Sequence, residues 1–233
     1  MDYRDRHVVV TGGTGALGTA VVGALLAQGA VCHVPYLDER KIERFPHRGN
    51  ERVKLIAGCD LADEAGVARA FDGIDDLWAS IHIAGGFAMS PIAETGKAKL
   101  MAMIETNLVS CYLCCSAAIR AMNRRGAGGR IVNVAARQAL EPRTGAGMTA
   151  YTVSKAGVAA LTEAAAQEVA GQGILVNAVV PSIMDTPQNR QAMPKANYDA
   201  WPKVEDVAAT ILFLASPENR VTRGALVPVY GRS

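Results

Sequence analysis

The feature that most narrows what this chain can fold into is a run of glycines near its start. The β-branched stretch His7–Thr11 leads directly into Gly12-Gly13-Thr14-Gly15-Ala16-Leu17-Gly18, and a helical pattern then continues to Gln28. Gly13-x-Gly15-x-x-Gly18 between a strand and a helix is the spacing of a dinucleotide-binding turn. Glycine there permits a tight reversal and lets backbone N–H groups approach a pyrophosphate at the positive end of the helix. The alternative is an ordinary βα turn. A strand before, a helix after and a second strand at the right distance favour the nucleotide.

The rest of the chain alternates in the same way. Short apolar runs at His7–Thr11, Val31–Pro35, Val53–Ala57, Trp78–Ala84, Arg130–Ala135, Ile174–Val180 and Ala225–Val229 read as buried strands. Helical stretches lie near Ala16–Gln28, Asp63–Phe71, Lys99–Arg125, Ala150–Ala170 and Val204–Ala215. The pattern predicts a single α/β domain over residues 1–233, a doubly wound parallel sheet of about seven strands with helices on both faces. Gln138–Thr149 and Asp185–Trp201 read as loops at the carboxyl ends of strands, where such sheets bind ligands.

Composition removes several other classes. With 50% hydrophobic residues and a formal net charge of +2, the chain is neither disordered nor footprinted for nucleic acid. The N-terminal residues are charged, and apolar runs such as Ile211–Ala215 fall well short of the roughly 20 residues of a membrane span. A cytoplasmic protein is therefore expected. Cys111-x-x-Cys114-Cys115 has no second ligand pair, so packing is expected of these thiols and no metal site.

Tyr151 and Lys155 carry the strongest chemical signal. Four residues apart on a helix, they share a face and point into one site. A nearby cation favours phenolate, so the pair reads as a proton donor or acceptor, with Lys155 also able to hold a ribose. At the end of the second strand, where NAD-preferring folds carry an acid for the ribose hydroxyls, this chain has Tyr36. Nothing at that position repels a 2′-phosphate, but Arg40 and Lys41 are the nearest cations and Asp38 could reach the ribose instead. NAD and NADP both stay open, with a lean to NADP.

Taken together, these segments make the chain similar to the short-chain dehydrogenase/reductase family over essentially its whole length. That resemblance implies a Rossmann-type domain and an NAD(P)(H)-dependent oxidoreductase acting on a small molecule as a homodimer or homotetramer. The oligomer would pair through Lys99–Arg125 and Ala150–Ala170. It also implies roles: Tyr151 for proton transfer, Lys155 and Asn107 in support, and Gly12 to Gly18 with Tyr36 around the nucleotide. Asp60 and Leu61 stand where the family contacts adenine, with a helix cap as the alternative for Asp60. Ala84, Gly85 and Gly86 stand in its Asn-Asn-Ala-Gly segment, leaving His82 as a fold-supporting residue. Asn107 matches an asparagine at a helix kink, and a buried Asn bonded to backbone would look the same. Pro181 and Thr186 match the segment holding the nicotinamide carboxamide.

One departure bears on mechanism. The family's catalytic serine ends the fifth strand, where this chain has Ala136 by strand alignment or Gln138 by spacing from Tyr151. A substrate carbonyl would lose an oriented donor worth a few kcal/mol. Within the family, dihydropteridine reductases also carry an Ala-rich strand end. The chain is similar to them in Ala136-Arg137-Gln138-Ala139-Leu140 with Gly147-Met148, and from Pro181 to Trp201, although they keep the acid that Tyr36 replaces. A pterin-like imine needs less polarisation than a carbonyl, so the expected substrate is such an imine or a small carbonyl. Gln188, Asn189, Arg190 and Met193 are expected to line its pocket. The alternative is a catalytically weak nucleotide-binding sensor or scaffold with the same fold.

Overall fold

In the fourth and fifth strands every side chain is buried, and a strand with two buried faces needs cover on both. The computed structural model describes residues 1–233 and supplies that cover. The elements run β1 (His7–Thr11), α1 (Ala16–Ala27), β2 (Val31–Pro35), α2 (Glu39–Glu43), β3 (Val53–Ile56), α3 (Glu64–Phe71), β4 (Leu77–His82) and α4 (Lys97–Met103). A π-helical segment (Ile104–Val109) joins α4 to α5 (Ser110–Arg125). There follow β5 (Gly129–Val134), α6 (Arg137–Leu140), α7 (Thr149–Glu168), β6 (Ile174–Pro181), α8 (Pro187–Ala192), α9 (Val204–Ala215) and β7 (Leu226–Val229). The seven strands form one sheet in the order β3-β2-β1-β4-β5-β6-β7, parallel at every pairing.

The period-2 alternation of strands divides the apolar side chains between two cores. Val8 and Val10 point to one face, where they join Val21 and Leu25 of α1 and Ile211 and Leu214 of α9. Val9 points to the other, toward Val67 of α3, Cys114 and Ala118 of α5 and Val158 of α7. All five cysteines are buried, as packing residues are. By length and composition Lys97–Arg125 is apolar enough to cross a bilayer, contrary to the sequence-based reading. Here it lies along the sheet, with Cys111, Cys115, Ala118 and Met122 inside the core.

The elements match the expected order, with three local differences. β4 stops at His82 instead of Ala84, because Ile83 and Ala84 turn aside to donate their N–H groups to the carbonyl and hydroxyl of Thr11, each at 3.2 Å. The two expected loops each hold a short helix. α8 starts on Thr186, whose hydroxyl caps the Asn189 N–H at 3.1 Å, with Pro187 in the first turn. α2 was not anticipated, and it starts on Asp38 as its cap.

Candidate active site

Because every strand is parallel, the segments after β1, β2, β3, β4, β5 and β6 all emerge at one edge of the sheet. The glycine turn is built by exclusion. Gly12 has φ +65°, and a Cβ there would lie 2.7 Å from the Ala84 nitrogen. A Cβ on Gly18 would lie 2.1 Å from the Gly12 oxygen, and one on Gly13 would strike Val34. Leu17 is buried in the core, whereas Gly15 and Ala16 are exposed at the lip and Thr14 is half-buried beside them. No side chain caps α1 at Gly15 and no acid lies in its first turn, so its positive end is left for an anion. These residues fit the pyrophosphate of a dinucleotide.

At the adenosine end Tyr36 follows β2, half-buried, with its phenol pushed up by burial and the neighbouring Glu39. Asp38 is not free for a ribose. Its carboxylate caps the Arg40 N–H at 3.1 Å and takes both arms of the Arg40 guanidinium at 2.9 and 3.0 Å, which holds its pKa down. Asp60 is exposed after β3 and accepts the Ala62 N–H at 3.0 Å, while the cap of α3 is Asp63. Leu61 is half-buried against the second core.

Asn107 sits in the π-helical segment, 1% exposed. Its amide oxygen accepts the Gly86 N–H at 2.8 Å, and its NH2 donates to the Gly86 carbonyl at 3.1 Å and the Ser154 hydroxyl at 3.0 Å. Ser154 donates in turn to the Tyr151 carbonyl at 2.7 Å. The kinked helix thereby fastens the segment after β4 to α7. Gly85 has to be glycine, because a Cβ would lie 2.6 Å from the Asn107 oxygen and 3.5 Å from Lys155 Nζ.

Lys155 is buried and donates to the Val134 carbonyl at 2.7 Å; desolvation lowers its pKa to about 8. Burial pushes the Tyr151 phenol up to about 12. That reverses the expected shift toward phenolate. Lys155 is turned to β5, and desolvation dominates at the phenol, favouring its protonated form. Phe87, 60% exposed, meets the Tyr151 ring edge-on at 5.0 Å and 80°. The sequence offered no signal for this neighbour beyond an aromatic after Gly86.

Ala136 occupies the strand end opposite, buried and extended at φ −159°, and is the N-cap of α6 with no side-chain bond. Gln138 lies within α6 itself. Pro181 ends β6, and Thr186 is buried as the α8 cap. Two residues expected to line a pocket are committed elsewhere. Arg190 is clamped by Asp185 at 2.6 and 2.8 Å, and Asn189 donates to the Met184 carbonyl at 2.8 Å. His82 is buried between Ser80 and Asn133, both at 2.8 Å. The thiols of Cys111 and Cys115 lie within 4.8 Å of it, but both ring nitrogens are already engaged.

Residues 6–197 match the family model for short chain dehydrogenases. The chain belongs to the short-chain dehydrogenase family. The cis-4-hydroxycyclohexanecarboxylate dehydrogenase of Sinomonas cyclohexanicum is 33% identical to this dehydrogenase over 250 residues, spanning 98% of this chain and 96% of that one. A 2,3-dihydroxy-2,3-dihydro-p-cumate dehydrogenase of Pseudomonas putida is 30% identical over 247 residues, spanning 97% and 93%. A solved structure of ElxO with NADP bound superposes with a TM-score of 0.88 at 26% identity, covering 97% of this chain and 98% of that one. The dehydrogenase is a nicotinamide-dependent oxidoreductase.

Proposed function

We propose that this dehydrogenase reduces a small pterin-like imine or carbonyl with NADP(H), using Tyr151 as the proton donor. The observation that carries this reading is a combination: a half-buried Tyr151 whose phenol is pushed up to about 12 by desolvation, one helical turn before the buried Lys155, and a strand end where Ala136 offers no hydroxyl. The bound nicotinamide would supply the hydride. The chain's own part is to bind, orient and protonate. The α1 terminus holds the pyrophosphate, Thr186 has a hydroxyl hydrogen left for the carboxamide, and Asn107 fixes the backbone around Gly86. Tyr151 places its proton where the substrate heteroatom gains charge, and Lys155 sets the polarity beneath it. Without a donor at Ala136 a carbonyl is polarised by Tyr151 alone, which favours an imine.

The lean to NADP rests on Tyr36 in place of an acid, on neutralisation of Asp38 by Arg40, and on the NADP in the ElxO structure. The reading includes a cytoplasmic homodimer or homotetramer, paired through α4, α5 and α7, where Met101, Tyr112 and Val153 are exposed.

The test is steady-state oxidation of NADPH and NADH with quinonoid dihydropterin and a panel of small carbonyls, in wild type and Tyr151→Phe. Pterin turnover with NADPH preferred is expected, with kcat falling on the order of 10²–10⁴-fold in Tyr151→Phe and nucleotide affinity nearly intact. No turnover of either substrate class with nucleotide bound, or a fully active Tyr151→Phe, would overturn the reading.

A further inference from the structure

The edge of the sheet opposite the nucleotide turn carries a concentration of cations. Arg130 is the second residue of β5, Leu175 lies at the start of β6, and Arg220, Val221 and Arg223 precede β7. Together with Ala170 they line a groove of about 510 Å³ whose lining includes no acidic residue. None of the three arginines takes part in an ion pair.

Arg130 is the unusual member, being only 9% exposed. Its guanidinium lies 5.1 Å from the Trp78 ring centre, and one arm donates to the Gly129 carbonyl at 2.8 Å. Its Nε hydrogen has no partner. Another cation, Arg6, stacks on the same indole at 3.9 Å. Burial and Arg6 both lower its hold on its proton. A buried guanidinium without a counter-ion is costly, and an anion delivered through the groove would offset that cost.

We propose that this groove binds the phosphate group of a small organic molecule. Guanidinium forks match phosphate oxygens bidentately, and three arginines line a groove larger than inorganic phosphate needs. The apolar part of the lining, Ala170, Leu175 and Val221, suits an attached carbon skeleton, and Val221 is 85% exposed for it. The site is distinct from the glycine turn, which follows the carboxyl end of β1, and it does not depend on the reaction assigned above.

The experiment is calorimetric titration of the full chain with phenyl phosphate at constant ionic strength, with NADP saturating. Phenol and inorganic phosphate serve as controls. A saturable site is expected that survives NADP, takes phenyl phosphate more tightly than inorganic phosphate, and ignores phenol. The surface variant Arg220→Gln/Arg223→Gln, which touches neither the core nor the nucleotide turn, is expected to weaken binding at least tenfold while leaving NADP affinity unchanged. Arg130→Met is expected to abolish binding. Absence of a saturable heat, loss of binding once NADP is present, or equal affinity in the double variant would overturn the proposal.

Discussion

The glycine turn after β1 and the strand end after β5 sit at the same edge of the sheet and face opposite constraints. The turn works through its backbone. Its geometry is enforced by contacts a single carbon would break, so the residue identities are dictated locally. The end of β5 works through whatever side chain it presents, and here that is the methyl group of Ala136. Binding of the nucleotide is thus tied to foldability, whereas polarisation of the substrate is free to change with the substrate.

The sharpest way to break this contrast is at Gly18. A Cβ 2.1 Å from the Gly12 oxygen meets backbone that cannot give way. Gly18→Ala should therefore destabilise by about 3 kcal/mol and raise the nucleotide Kd by roughly 100-fold or more. Gly15→Ala, whose Cβ would sit at an ordinary 3.4 Å, should be tolerated in both respects. Thermal melts and nucleotide titrations on the two variants check this, and a well-behaved Gly18→Ala would show that the turn is not rigid.

At the other pole, Ala136→Ser should be accepted by the fold and change the chemistry. The extended backbone at Ala136 is already that of an N-cap, so a serine there gains about 1 kcal/mol by capping α6. As a donor to a developing oxyanion it should raise kcat/KM for small carbonyls by about 100-fold. Turnover of the imine should hardly move. Equal gains for both substrates would mean that the missing hydroxyl does not set the substrate class.

The same contrast explains what could be read in advance. Backbone requirements write themselves into sequence as glycine, so the turn at Gly12 to Gly18 was legible, and the alternation of apolar runs with helical stretches made the seven-stranded parallel sheet legible too. Tyr151 and Lys155 were legible because helical spacing alone aligns them. What could not be read depends on which side chains engage one another, even where the partners are close in sequence. Asp38 looked available until Arg40 was seen to hold it, and Arg190 looked like a pocket residue until Asp185 did the same. The phenolate expectation failed for a related reason. A neighbouring lysine is visible in the sequence, but the desolvation of the Tyr151 phenol and the edge-on contact of Phe87 are not.

Lys155 gives a titration that distinguishes its buried state from that of a solvated pair. Its pKa falls from the ordinary 10.5 to about 8, so between those values the unfolded chain holds a proton that the folded protein has released. Its penalty is fully present below about pH 8 and fades as pH rises toward 10.5. Tyr151, raised from 10 to about 12, acts in the opposite sense, its extra proton being lost at a cost only above pH 10. In the nucleotide-free protein Lys155→Met should therefore melt higher than wild type at pH 7, by about 5 °C, and the gap should narrow by pH 10. A gap independent of pH would place the ammonium in solvent.

The smallest expected effect is at Phe87. Its edge-to-face contact with Tyr151 is worth about 1 kcal/mol, and the ring also shields the phenol from water. Phe87→Ala should lower the Tyr151 pKa from about 12 toward the ordinary 10, read as the tyrosinate absorbance that disappears in the Tyr151→Phe background. Because most of the Phe87 ring is exposed, it is also available to a planar substrate, so KM for the proposed pterin substrate should rise several-fold while kcat changes less. A drop in kcat with KM unchanged would assign Phe87 to holding Tyr151 rather than to recognising the ring. The substrate side of the cleft would then owe its selectivity to the strand end at Ala136 alone.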